Sequence, residues 1–151
     1  MSYENAEGYK IREQAATHFL TFSVVGWMDI FSRQRYRDIL IESFKYCQQN
    51  KGLQIGAYVI MSNHIHTIFT ATHNNLSDIV RDFKTYTSKA ITQSVLTENE
   101  SRREWLSYMF EFYAKRTNAN VLFKVWTSKI EHLFPLCSLY CISVWSAVLN
   151  L

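Results

Sequence analysis

The stretch that most constrains the fold is residues 57–69, where two apolar, strand-like runs are separated by the polar pair Ser62-Asn63. Both runs are rich in β-branched and aromatic residues, which favour β-strands. His64 and His66 open the second run. Alternate residues of a strand point to the same face, so the two imidazoles are predicted to project side by side. This spacing suits one divalent metal ion, and it also suits two polar side chains hydrogen-bonded within a sheet.

The periodicity of the rest of the chain predicts the elements around this stretch. Strands are predicted at residues 17–25, 53–61, 64–71 and 122–126, and helices at about 33–50, from a cap at 74–77 to about 96, and at about 102–115. The loop after the first strand carries Trp27, an aromatic residue predicted to be exposed. The order strand, helix, strand, strand, helix begins a split β-α-β pattern. We therefore predict an α+β, ferredoxin-like antiparallel sheet with helices packed on one face.

Composition excludes several classes of protein. The chain has 151 residues, 48% hydrophobic and 19% charged, which predicts a folded domain with a real core and excludes a disordered chain. A net charge of +3 permits nucleic-acid binding without requiring it. The odd set Cys47, Cys137 and Cys141 has no framework spacing and predicts reduced thiols. With neither a signal segment nor a membrane-spanning run, a cytoplasmic protein that does not enter the membrane is expected.

Residues 58–66, read as YVIMSNHIH, resemble the histidine–hydrophobic–histidine signature of the HUH single-tyrosine transposases, in particular the REP-associated tyrosine transposases and their insertion-sequence relatives. Ser62 stands where these proteins often have proline. Residues 17–21 resemble their first strand, residues 78–89 the helix with the nucleophilic tyrosine, and residues 123–126 a later strand ending in tryptophan. The resemblance covers roughly residues 17–126.

The resemblance implies a strand-transfer reaction on single-stranded or hairpin DNA. A divalent ion, Mg²⁺ or Mn²⁺, would be held by His64 and His66 and would polarise the scissile phosphate. Tyr86 would attack phosphorus, leaving a 5′-phosphotyrosine and a free 3′-hydroxyl. In several relatives the tyrosine helix reaches across to a partner subunit, so the resemblance also implies a homodimer.

The third metal ligand is the least defined part of this implied site. In related insertion-sequence transposases a polar residue one turn after the tyrosine completes the metal site, and here that position is Ala90, which cannot coordinate. Gln93, two turns after Tyr86, and Asp82, one turn before it, share that helix face and are the candidates. The alternative is a weaker site of two histidines with water as the remaining ligands.

Further residues are assigned to DNA and to alternative nucleophiles. Tyr108 and Tyr113 are alternatives to Tyr86. The predicted DNA contacts are Arg81, Lys84, Lys89 and Asn63, although basic residues on a helix are often ordinary solvated charges and Asn63 is also a common turn residue.

The chain is predicted to divide into a catalytic domain, residues 1–126, and a divergent apolar tail, residues 127–151. From residue 133 onward the sequence is almost uncharged and has no clean period, as a degenerate or out-of-frame tail would be. Three hypotheses follow. The chain is an active DNA strand transferase, or a catalytically impaired relic that still binds DNA hairpins, or a metal-dependent nuclease that forms no covalent intermediate.

Overall fold

The computed structural model describes residues 11–117 and 121–135. Two short 3-10 turns, Val25–Trp27 and Ile30–Ser32, connect the first strand to the first helix. Within the described ranges the strands and helices are β1 (His18–Ser23), α1 (Gln34–Lys51), β2 (Leu53–Ile60), β3 (His64–Ala71), α2 (Leu76–Thr97), α3 (Arg103–Lys115) and β4 (Glu131–Pro135).

The strands form one sheet in the order β2-β3-β1-β4, and every neighbouring pair is antiparallel. β1 therefore lies between β3 and β4, and helices make the two long connections from β1 to β2 and from β3 to β4. This is the ferredoxin-like arrangement. The predicted α+β class and strand topology are confirmed.

The core lies between one face of the sheet and the helices α1 and α2. Phe44 of α1 and Phe83 of α2 stack with ring centroids 5.0 Å apart. Phe22 of β1 contacts Phe83 at 5.6 Å, and Phe69 of β3 contacts Phe44 at 5.6 Å. Both helices therefore pack on the face that Phe22 and Phe69 share, as predicted.

The prediction of a fourth strand at residues 122–126 is wrong. This segment makes a single bridge, between Trp126 and Val24, and the strand that completes the described sheet is β4. Val125 and Trp126 are buried, and the Trp126 indole N–H donates a hydrogen bond to the Thr87 hydroxyl at 2.9 Å. The apolar pattern of the segment thus reflects packing against α2 instead of pairing in the sheet.

β4 lies on the tail side of the boundary predicted at residue 126. The division of the chain into a catalytic domain and a tail stays a prediction, because residues 136–151 lie outside the described residues. Cys137 and Cys141 fall in that segment as well. Cys47 is a buried free thiol, and the predicted reduced state of all three cysteines stays a prediction.

A buried carboxylate ties α1 to the connection between α2 and α3. The Glu100 side chain is inaccessible to solvent; it forms ion pairs with Arg33 and Arg35 and accepts a hydrogen bond from the Tyr36 hydroxyl at 2.8 Å. Burial alone would raise the pKa of Glu100, but hydrogen bonds from the Arg102 backbone N–H, Tyr36 and Arg35 lower it to about 2. The network fixes where α3 begins.

Candidate functional site

The two histidines lie at the start of β3, on the face of the sheet opposite to α1 and α2. In the register with β1, His66 pairs with Thr21 and His64 pairs with Ser23, whereas Ile65 pairs with the helix-facing Phe22. The Nε2 atoms of His64 and His66 lie 3.1 Å apart. The prediction that the two imidazoles project side by side is confirmed.

Each imidazole is held through its other ring nitrogen. Nδ1 of His64 hydrogen-bonds to Oδ1 of Asn63 at 2.7 Å, and Nδ1 of His66 hydrogen-bonds to the Thr21 hydroxyl at 2.8 Å. An amide oxygen only accepts, so Nδ1 of His64 carries the hydrogen and Nε2 carries the lone pair. The two Nε2 atoms hydrogen-bond to each other. A partner that fixes Nδ1 and turns Nε2 toward the site is the arrangement found around metal-binding histidines.

The surroundings favour neutral rings. Burial lowers the pKa of His64, against the opposing charge of Glu131. Burial and the neighbouring His64 lower the pKa of His66, and Glu131 partly offsets them. Neutral imidazole is the form that binds a metal ion, so the site disfavours the proton that would compete with one.

Glu131 is a site residue that the sequence analysis missed. It opens β4 and pairs with Thr21, which pairs on its other side with His66. Directly paired residues of antiparallel strands share a face, so Glu131, Thr21 and His66 form one row across three strands. The Glu131 side chain is exposed, and it forms no hydrogen bond or ion pair with another described residue. The sequence analysis missed it because this proximity depends on the register of β4.

The histidine pair fits a divalent ion by its spacing. Two adjacent ligands of an octahedral ion with bonds of about 2.1 Å stand about 3.0 Å apart, close to the observed 3.1 Å between the Nε2 atoms. Among the residues that the structure describes, no three histidine, cysteine, aspartate or glutamate side chains are already gathered around a common point. The preformed part of the site is therefore the pair.

Trp27 borders the pair, and the prediction that it is exposed is confirmed. Its side chain is 60% exposed, and its ring lies edge-to-face on His64 with centroids 5.7 Å apart. Asn63 joins the two residues, because its Nδ2 donates to the Trp27 carbonyl at 3.3 Å while its Oδ1 binds His64. Asn63, predicted as a DNA contact, thus orients the His64 imidazole and holds the backbone at Trp27.

Tyr86 lies elsewhere in the same chain. It is 58% exposed on α2 and lines a cleft of about 460 Å³ between α1 and α2, together with Tyr46 and Lys51. α2 packs on the face of the sheet that carries Phe22, opposite to the face of His64 and His66. Within the described chain, no hydrogen bond or ring contact joins Tyr86 to either histidine. One chain does not bring this tyrosine to the pair, and its role stays a prediction.

The candidate third ligands from α2 are likewise not joined to the histidines. Gln93 and Lys89 line a groove of about 840 Å³ between α2 and residues 121–128. Asp82 is ion-paired with Lys51. Neither Gln93 nor Asp82 has a contact with His64 or His66 among the described interactions, so their coordination of a metal stays a prediction.

The predicted DNA contacts on α2 differ in their availability. Arg81 is exposed and ion-paired with Asp78 and Asp82. Lys84 donates its Nζ proton to the Thr127 carbonyl at 2.8 Å, and burial, with a smaller effect of Lys124, lowers its pKa to about 8. Lys89 is exposed.

The two alternative tyrosines lie on α3. Tyr108 is 63% exposed. The Tyr113 ring packs on Gly26, where an added Cβ would meet it at 2.8 Å, and Gly26 directly precedes Trp27. Tyr113 therefore lies against the turn that borders the histidine pair, although no described contact joins it to either imidazole.

None of the helices in the described ranges has both the length and the apolar character that a membrane span needs.

Comparisons with known proteins agree with the fold. A family model described as "Transposase IS200 like" matches residues 22–127, more than half of the chain. A REP-associated tyrosine transposase bound to a REP hairpin superposes with a TM-score of 0.53 at 14% identity, covering 95% of this chain and 68% of that one. A candidate transposase from Deinococcus radiodurans R1 superposes with a TM-score of 0.51 at 15% identity, covering 99% and 97%. At such identities the likeness to both structures concerns the fold. No curated protein matches the chain.

Proposed function

Because this chain belongs to the IS200-like transposase family, we propose that it cleaves and rejoins single-stranded DNA at the His64–His66 pair, with Mg²⁺ or Mn²⁺ as cofactor. The observation that supports this most is the pair itself, with Nε2 atoms 3.1 Å apart and both Nδ1 atoms hydrogen-bonded. The neighbour of similar fold that is bound to a REP hairpin makes hairpin DNA the substrate class to test first.

The metal-binding residues in this proposal are His64, His66 and Glu131. The carboxylate of Glu131 shares a face with both histidines and acts electrostatically on both. Two neutral imidazoles and a carboxylate are a donor set that divalent transition metals accept. When bound, the ion supplies charge stabilisation to the oxygens of the scissile phosphate.

The proposed cleavage is a transesterification. The Tyr86 hydroxyl oxygen forms a bond to phosphorus, the P–O3′ bond breaks, and the departing 3′ oxygen takes up a proton that replaces the one lost by the phenol. Rejoining reverses these changes with another 3′-hydroxyl. Since Tyr86 and the histidines of one chain lie on opposite sides of the sheet, Tyr86 would serve the histidines of a second copy, which requires a homodimer.

Mixing inactive variants tests the shared site. Tyr86→Phe and the double variant His64→Ala/His66→Ala are each expected to form no covalent adduct with a labelled hairpin carrying a single-stranded flank, in Mn²⁺. Co-refolding the two variants builds dimers that combine an intact histidine pair with an intact Tyr86, so the adduct band on a denaturing gel is expected to return. Tyr108→Phe is the control that keeps activity. An adduct formed by Tyr86→Phe on its own would contradict the assignment of Tyr86 as the nucleophile. Loss of the adduct in Tyr113→Phe would assign the nucleophile to Tyr113 on α3.

A second candidate function is a metal-dependent nuclease in which water attacks the phosphate. The separation of Tyr86 from the histidines within one chain favours it. Metal-dependent cleavage without an adduct, unchanged in Tyr86→Phe, would identify this activity. Binding of hairpins with no cleavage in either metal would instead identify a DNA-binding relic.

A further inference from the structure

We propose that the exposed indole of Trp27 is a stacking platform for an unpaired nucleobase next to the phosphate handled at the histidine pair. This inference rests on the proposed function for its ligand class, single-stranded DNA. Trp27 is 60% exposed and contacts His64 edge-to-face at 5.7 Å, so one face of the indole is available beside the pair. Stacking on such a ring suits any base, because every base has a π-face.

The backbone around Trp27 is held in an unusual conformation. Trp27 has φ +53°, in the left-handed region that bulky residues avoid, and it follows Gly26 at φ +62°. Position 26 has no room for a side chain, because an added Cβ would meet the Tyr113 ring at 2.8 Å. This strained backbone leaves a large apolar ring exposed, so the strain is not compensated by burial of the ring. Strained residues of this kind are concentrated at ligand contacts.

Hydrogen bonds through Asn63 connect the Trp27 backbone to the histidine pair. The Trp27 N–H donates to the Val24 carbonyl at 3.1 Å, and its carbonyl accepts from Asn63 Nδ2 at 3.3 Å. The same Asn63 side chain binds Nδ1 of His64 at 2.7 Å. One amide therefore holds the Trp27 backbone and the His64 imidazole relative to each other, and the edge-to-face ring contact places the indole beside that imidazole, as positioning a base relative to its phosphate requires.

Other exposed aromatic residues provide the comparison. Trp105, on α3, is 46% exposed and has no ring contact with either histidine within the described chain. The test therefore compares the Trp27 variants with Trp105→Ala. Trp27→Gly removes the ring and suits the left-handed backbone, and this relief of strain is expected to offset the lost His64 contact and the added freedom of the unfolded chain, so that the melting temperature stays within a few degrees of wild type. Trp27→Phe retains an aromatic face.

The measurement is fluorescence anisotropy of a labelled DNA hairpin, with and without a single-stranded flank, in EDTA so that neither metal nor cleavage contributes. Trp27→Gly is expected to bind the flanked hairpin about 10-fold or more weakly and the flankless hairpin as wild type does. Trp27→Phe and Trp105→Ala are expected to stay within about 3-fold of wild type.

Flanked-hairpin affinity unchanged in Trp27→Gly would overturn the proposal, as would an equal loss for both hairpins. A second readout does not depend on the folding of that variant, since the flank should quench tryptophan fluorescence in wild type and much less in Trp27→Phe. Cleavage in Mn²⁺ is scored separately. Hairpin affinity that depends on Trp27, without cleavage, would support the platform and contradict the proposed strand transfer. Cleavage with an affinity that does not depend on Trp27 would support the strand transfer and contradict the platform.

Discussion

The Thr21 hydroxyl on β1 lies 2.8 Å from Nδ1 of His66 on β3. Thr21 thereby fixes the imidazole and leaves Nε2 facing His64. Through its pairing with Glu131 on the other side, the same threonine also brings a carboxylate into the row. The candidate metal site is thus a product of strand register in the middle of the sheet, and the following predictions separate its chemistry from the stability of the fold.

Replacing both histidines should abolish metal binding and leave the fold intact. His64→Ala/His66→Ala removes the two preformed donors, while both side chains are only half-buried, so we expect a change of less than about 1 kcal/mol in the free energy of unfolding. Isothermal titration with Mn²⁺ and urea unfolding measure the two effects. Unchanged Mn²⁺ affinity would show that the pair is a structural hydrogen-bonding unit.

Glu131→Gln should weaken Mn²⁺ binding by about 10-fold or more, because it replaces a carboxylate with a weaker neutral ligand. Glu111→Gln, which alters an exposed carboxylate on α3 paired with Lys115, is the matched control. The titration requires no DNA and no activity. Equal affinities for the two variants would remove Glu131 from the site and return attention to Gln93.

Glu100→Gln should destabilise the fold by about 3–5 kcal/mol, because Arg33, Arg35 and Arg102 would lose the buried charge that all three contact. The pKa of Glu100 is lowered to about 2 from an ordinary 4.5. Its contribution is therefore complete above pH 4.5 and is lost as pH falls toward 2. Urea unfolding at several pH values should show this decline in wild type and a flatter profile in the variant. Exposed Glu104→Gln should behave as wild type, and an equal loss there would point to a general charge effect.

Thr87→Val should lower the free energy of unfolding by about 1–3 kcal/mol. Valine has the shape of threonine, but it leaves the buried Trp126 indole N–H without its hydrogen-bond acceptor. Thr85→Val, two residues earlier on α2 and exposed, is the control expected to change the free energy of unfolding by less than about 0.5 kcal/mol. The urea midpoint at constant slope reports the difference. Similar midpoints for both variants would show that a water or another group satisfies the indole.

Lys84→Met should alter the pH dependence of stability in the alkaline range. Burial lowers the pKa of Lys84 to about 8 from 10.5, so between these values the unfolded chain binds a proton that the folded chain does not. Wild-type stability therefore gains a contribution that rises with pH through this window. The difference between wild type and variant, measured by thermal unfolding from pH 7 to 10.5, should show that rise. A constant difference would mean that Lys84 stays charged in the fold.

Local sequence patterns were sufficient to predict most helices and strands and the side-by-side placement of the two histidines. The side-by-side placement of His64 and His66 follows from two-residue spacing in one strand, so nothing distant in the chain is needed to predict it. The helix carrying Tyr86 was equally clear from its apolar stripe. What that stripe does not encode is the face of the sheet on which the helix packs, and this decides whether Tyr86 can meet the histidines.

Contacts between distant segments account for the rest. Residues 122–126 have the composition of a strand, but Trp126 finds its hydrogen-bond partner on α2, and the sheet edge is left to Glu131–Pro135. Glu131 joins the candidate site because residues 131–135, and not residues 122–126, form the edge strand. The exposure of Trp27 was predicted from its loop, whereas its contact with His64 depends on a left-handed turn that sequence periodicity does not indicate.

The sheet separates the apolar core and the histidine pair onto its two faces. Selection can therefore act on one without disturbing the other. A substitution at the pair is therefore expected to leave the apolar core, and with it the stability of the fold, nearly unchanged.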